Sequence, residues 1–325
     1  MSDNSMGMWK GLRCAAIAAL LISCGGNDVT PGPSAVVTSY LNDMVDIMEE
    51  NSINRNAIDW NAFRAAVLEK AGAVQTVAEA DAAVVHALEL LNESTSFVVT
   101  VRNTTLSASV GCTADAPPTV PDDPDIGYVQ VPVYTSTGLQ AAIFAKSLQG
   151  KVQTEDKTDL KGWIIDLRGN TGGNMWAMIA GVGPVLGEGI AGYFVDADGV
   201  KTAFQYVGGS MKYGEESILN VSFPYTVVSG KIKIAVLVDE ATASSGEAVV
   251  ISFIGRDNVQ IFGANTCGKS AGNQPYILKD GSVLYLTTAL LADRNENLYN
   301  GQIVPNQAIS DPNEIYNAAV AWINE

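Results

Sequence analysis

Histidine is almost missing from this chain, with one residue, His86, in 325. A triad built on an imidazole base has little to draw on, and a Zn site is disfavoured further because the four cysteines show no CxxC spacing. No metal and no cofactor are expected. Basic residues are also scarce: 19 Lys and Arg stand against 35 Asp and Glu, a net charge of −16. That balance argues against nucleic acid as a partner and against electrostatic docking on anionic lipid. No GK[ST] follows the glycine-rich segments, and their spacing misses the dinucleotide fingerprint, so phosphate-cradling loops are disfavoured too. With 47% hydrophobic residues, the chain can nevertheless bury a large core.

The longest early apolar run, Cys14 to Ile22, is too short to span a bilayer as a helix. Preceded by Lys10 and Arg13, it reads as an export signal over residues 1–23. It ends in Leu21-Ile22-Ser23-Cys24, which resembles the lipobox of bacterial lipoproteins. That resemblance implies cleavage before Cys24, lipidation of its thiol, and a flexible tether over residues 24–33 holding the protein to the cell envelope. Cys112 and Cys267 then remain, to pair or to stay as thiols.

Residues 34–97 read as a helical bundle. Val37, Tyr40, Leu41, Met44 and Met48 follow helical spacing, and Asp59 is placed to cap a helix carrying Trp60, Phe63 and Val67. Thr76 with Glu79 forms a capping box before Ala80, Val84, Ala87, Leu88 and Leu91. His86 lies opposite that stripe, which makes it a solvent-side or packing residue rather than a base.

From Val98 onward the pattern changes to short strands, with an exposed excursion at Ala116 to Asp125. Tyr128 to Val133 and Gly162 to Leu167 read as strands, Leu139 to Leu148 and Met175 to Val182 as helices. Ile232 to Val238 reads as a buried strand, followed by Asp-Glu-Ala-Thr-Ala-Ser-Ser-Gly-Glu and a helix from Ala248 to Ile254. Ser244 thus sits at a strand-to-helix turn, where unpaired N–H groups can stabilise an oxyanion, although Ser244 and Glu247 also fit a plain capping box. Gly172 and Gly173 end the other turn, in Arg168-Gly169-Asn170-Thr171-Gly172-Gly173-Asn174. The recurrence of strand, turn and helix predicts an α/β core over residues 98–325 with working loops at the strand C-termini.

Three blocks resemble the C-terminal processing, or tail-specific, serine peptidases: Asp59-Trp60 with Ala87 to Leu91, Gly162 to Met175, and Thr242 to Glu247 continuing through Gly263-Ala264-Asn265-Thr266-Cys267-Gly268-Lys269 to Leu291-Ala292-Asp293-Arg294. The resemblance implies an α/β fold with a ClpP/crotonase-like core and an N-terminal helical bundle, and an endopeptidase that acts on peptide or unfolded protein. Ser244 would be the nucleophile and Lys269, 25 positions later, its base. The oxyanion donors would be the backbone N–H of Ser245 and one from Gly172 or Gly173. A lysine titrates ordinarily near ~10.4 and must be neutral to accept a serine proton, so this dyad requires an amine held in apolar surroundings.

Two departures from the family pattern qualify what is carried over. Thr95, in Asn92-Glu93-Ser94-Thr95-Ser96-Phe97, stands where compact lipoprotein-like members place a histidine. The alternative is therefore a catalytically inactive peptide-binding lipoprotein. Val98 to Gly127 is also too short for a PDZ domain, so the substrate is expected as an added strand near a hairpin at Tyr276 to Ala289.

Overall fold

The computed structural model describes residues 32–109, 111–121 and 123–325. The leader, Cys24 and most of the tether lie outside them. The bundle consists of α1 (Ala35–Asn51), α2 (Trp60–Ala71) and α3 (Asp81–Leu90). Ser34 Oγ accepts from the Val37 N–H at 3.3 Å, and Asp59 Oδ1 accepts from Asn61 and Ala62 at 3.1 Å. Each such cap stabilises its helix by about 1 kcal/mol. The Thr76–Glu79 box opens a 3-10 turn, Val77–Ala80, ahead of α3. The stripe from Ala80 to Leu91 packs on Val37, Leu41, Met44 and Met48, and Val98, Leu278, Leu284 and Leu286 close the same core. Burial of each large aliphatic contributes about 1.5–3 kcal/mol.

The strands are β1 (Phe97–Val99), β2 (Thr105–Ser107), β3 (Ile126–Gln130), β4 (Gly162–Asp166), β5 (Gly189–Asp196), β6 (Lys201–Val207), β7 (Ser210–Tyr213), β8 (Glu216–Asn220), β9 (Lys233–Val238), β10 (Val259–Gly263), β11 (Ala271–Ile277), β12 (Val283–Ala292), β13 (Leu298–Tyr299) and β14 (Gln307–Ala308). The remaining helices are α4 (Gly138–Glu155), α5 (Met175–Leu186), α6 (Ser245–Phe253) and α7 (Pro312–Asn324). Among the described residues these strands form two sheets. One runs β2-β1-β12-β5-β6-β7-β8, with β11 and β13 also paired to β12; the other runs β14-β10-β9-β4-β3 and is parallel throughout. The expected α/β class is therefore present, as is the β11–β12 hairpin.

The parallel sheet is buried on both faces, as its continuous apolar strands require. Ile164, Ala235, Leu237 and Phe262 face α7, while Trp163, Ile165, Val236 and Val238 belong to the core shared with α4, α5 and α6. β10, β9 and β4 are parallel neighbours, so the loops that follow them leave the same end of the sheet.

Several element bounds differ from expectation. α4 continues beyond the expected Leu148 to Glu155, burying Gln149 and Val152, and α6 opens at Ser245 instead of Ala248. The strand expected to reach Val133 ends at Gln130, two residues before Pro132, which lacks the N–H that a ladder needs. The helix expected to end at Val182 continues to Leu186 through Pro184. Pro184 leaves the Ala180 carbonyl without its helical donor, and Gln149 Nε2 supplies one at 2.8 Å. Among the described residues no helix is long and apolar enough to cross a membrane.

Candidate active site

The loops after β4, β9 and β10 carry the predicted site residues to one place. Ser244 caps α6 with φ 51° and ψ −119°, a left-handed conformation for a residue with a Cβ. Such a conformation costs on the order of 1–3 kcal/mol and persists only where its surroundings dictate it. Here they do: Ala243 N donates to the Asn170 carbonyl at 2.9 Å, Gly246 N to the Ala243 carbonyl at 2.8 Å, and Ser244 N to Glu247 Oε2 at 3.0 Å.

Glu247 does more than cap. It is fully buried, and its Oε2 also accepts from the Lys269 backbone N–H at 2.7 Å. The backbone nitrogens of Ser244 and Lys269 are thus separated by no more than the sum of their distances to one shared oxygen. Oε1 accepts from Gly268 N at 2.9 Å and from the Thr266 hydroxyl. The Ser-x-x-Glu spacing was legible as a capping box, but nothing local signalled that the same carboxylate also fastens the Thr266–Lys269 loop.

Burial pushes the Glu247 carboxyl above its ordinary 4.5, against the pull of the donors from Thr266, Gly268, Lys269 and Ser244. A carboxyl whose folded pKa is raised binds its proton more tightly in the native state. Its contribution is therefore fully present at low pH and is lost as pH rises through the raised value. Glu247→Gln is expected to remove that downward slope from the interval above 4.5 in stability measured by urea unfolding across pH. A slope unchanged in the variant would assign it to other groups.

The turn after β4 lies against the nucleophile turn. Gly172, at φ 113°, would place a Cβ 2.9 Å from that of Ser244, and Gly173, at φ 122°, would place one 2.2 Å from the Tyr134 carbonyl oxygen. Gly172 N donates to Asn170 Oδ1 at 2.9 Å, whereas among the described residues neither the Gly173 N–H nor the Ser245 N–H has a hydrogen-bond partner. Ser245 Oγ donates to the Gly173 carbonyl at 2.7 Å and joins the two turns. The Asp166–Arg168 pair anchors the base of the β4 turn, with both side chains buried and Arg168 Nη2 2.7 Å from Asp166 Oδ2.

Lys269 is half-buried, and its Nζ donates to Ser109 Oγ at 3.0 Å. No motif marked Ser109 in the sequence. Cys112 and Cys267, left open between pairing and free thiols, form a disulfide across 155 residues. Thr95 is half-buried and belongs to a polar cluster, its Oγ1 donating to Glu93 Oε2 at 2.8 Å and its carbonyl accepting from Asn273 Nδ2 at 2.8 Å. His86 is on α3, where its Nδ1 is 3.1 Å from Glu89 Oε2. Cys24 lies outside the described residues.

The α/β fold and its family support the class of serine-type peptidases. The model of peptidase family S41 matches residues 125–309, more than half of the sequence, and the chain belongs to that family. It is 34% identical over 199 residues to a nisin-resistance protein of Lactococcus lactis subsp. lactis, covering 59% of this chain and 58% of that protein. It is 28% identical over 167 residues to the carboxy-terminal processing protease CtpA of Bacillus subtilis (strain 168), covering 51% and 31%. Each match thus spans less than two thirds of the relative. A solved lipoprotein from Streptococcus agalactiae superposes with a TM-score of 0.69 at 25% identity, covering 89% of this chain and 96% of that one. Family membership supports a protease-like function with a peptide or protein substrate.

Proposed function

We propose that the chain is a serine endopeptidase of the bacterial cell envelope that works through a Ser244–Lys269 dyad. The observation that carries this reading is the Glu247 carboxylate, whose single oxygen Oε2 holds the backbone of both residues at the ends of adjacent parallel strands. Ser244 Oγ attacks the scissile carbonyl as the neutral Lys269 amine takes its proton. The oxyanion forms against the N–H groups of Ser245 and Gly173, Gly172 being engaged with Asn170. Lys269 then returns the proton to the leaving amine, and water, activated by the same amine, hydrolyses the acyl-enzyme.

A leader over 1–23, a lipidated Cys24 and a tether over 24–33 would deliver the helical bundle (34–97) and the core (98–325) to the membrane surface. The nisin-resistance relative and the lipoprotein neighbour support an envelope location. A second reading, a silent peptide-binding lipoprotein, is favoured by Thr95 at the histidine position. A fluorophosphonate probe decides between them. Labelling of wild type that disappears in Ser244→Ala is expected, whereas peptide binding with no labelling would establish the silent binder.

A further inference from the structure

Lys269 is held at both ends by different parts of the chain. Its backbone N–H is fixed on Glu247, while its amine donates to Ser109 Oγ at 3.0 Å. Ser109 Oγ in turn donates its own proton to the Ser94 carbonyl at 2.8 Å. With that proton committed, the hydroxyl offers the lysine only a lone pair. It orients the amine without competing for the amine's own lone pair, which is the one that must reach a serine proton.

Apart from its bond to Ser94, Ser109 is held locally, among the described residues, by Ser107 alone, whose Oγ donates to the Ser109 carbonyl at 3.3 Å and lies 3.3 Å from its hydroxyl. It follows β2, a three-residue strand paired along one side with β1. Its backbone N–H donates to Ser107 Oγ at 3.2 Å, and the described residues 111–121 beyond it form no helix or strand. Three residues after Ser109, Cys112 is bonded to Cys267, which lies two residues before Lys269. The Cys267 N–H donates to the Thr242 carbonyl at 2.9 Å, so the loop end of this bridge is fixed to the nucleophile turn. The disulfide is thus a covalent tie between the Ser109 segment and the Lys269 loop. Both cysteines are half-exposed, and an open pocket lined by Glu93, Ser94, Ser109, Gly268 and Gly301 borders the joint, so a small reductant has access.

We propose that Ser109 is a positioning residue for Lys269 and that the Cys112–Cys267 disulfide keeps it in place, so that the orientation of the amine depends on the redox state of this bridge. The proposal rests on the Ser–Lys reading. Reduction breaks the Sγ–Sγ bond with two electrons and two protons from a dithiol, leaving two thiols and the oxidised cyclic disulfide of the reductant. Ser109 is then no longer tethered beside the lysine.

The test uses the folded chain, with its circular dichroism followed throughout, in wild type and Ser109→Ala, each oxidised and reduced with dithiothreitol. Reduction of wild type and the Ser109→Ala substitution are each expected to lower kcat on an unstructured peptide, and the rate of fluorophosphonate labelling, by at least about tenfold with KM little changed. Reduction of Ser109→Ala should add nothing further. A wild type indifferent to reduction, or two effects that multiply, overturns the proposal.

A second measurement needs no turnover. Pulse acetylation at fixed pH, read at Lys269 by mass spectrometry, is expected to speed up several-fold on reduction in wild type and to be insensitive to reduction in Ser109→Ala. Equal rates in oxidised and reduced wild type would refute the tether. If the oxidised enzyme neither labels nor turns over, the Ser–Lys reading falls, while the acetylation rates still decide whether the disulfide holds Ser109 on the lysine.

Discussion

Gly173→Ala is expected to lower kcat/KM by about 10²–10³, the cost of losing one oxyanion donor, and to destabilise the fold by roughly 1–3 kcal/mol from backbone strain alone. The reason is geometric. At φ 122° an alanine is strained whatever space surrounds it, and here its Cβ would lie 2.2 Å from the Tyr134 carbonyl oxygen. That oxygen is a backbone atom accepting from the Asn174 N–H, and the Tyr134 ring stacks on Phe144 at 4.0 Å between centroids, so it has little room to retreat. The glycine turn must yield instead, carrying its N–H away from Ser244. Urea unfolding and hydrolysis of casein measure the two effects separately. A variant as active as wild type would remove Gly173 from the oxyanion site. Gly172→Ala makes the comparison informative, because its Cβ meets the Ser244 Cβ at 2.9 Å and disturbs the nucleophile itself.

What could be read in the sequence was what depends on neighbours in the chain. The caps at Asp59 and Thr76, the apolar stripe from Ala80 to Leu91 and the strand-turn-helix units around Leu167 and Val238 are set within a few residues. The position of Ser244 on a turn follows from the same local signals. The meander from β5 to β8 was not anticipated. It joins the rest of its sheet through Ala289 to Ala292 of β12, nearly a hundred residues away, and no short-range pattern encodes that pairing. The same holds within the site: the second role of Glu247 requires the Thr266–Lys269 loop to arrive from the next strand, and the contact of Ser109 with Lys269 spans 160 residues. Tertiary placement, not residue type, makes these groups relevant.

Lys269→Met separates what the lysine backbone does from what its amine does. Methionine keeps the backbone N–H that Glu247 accepts at 2.7 Å, so the loop should stay closed and stability should change by less than about 1.5 kcal/mol. The amine alone is lost. On the Ser–Lys reading, hydrolysis should then fall by about 10²–10⁴, the contribution of a positioned general base. Lys269→Arg should not restore it, because a guanidinium cannot deprotonate at working pH, even though it can still donate to Ser109. Failure of both variants with the fold intact, followed by casein hydrolysis and near-UV circular dichroism, would tie the chemistry to a neutral amine rather than to positive charge. Restoration by arginine would mean that charge alone serves. Full activity in Lys269→Met would require another base, with His86 the first to substitute, although its pairing with Glu89 on α3 gives that imidazole a partner other than Ser244.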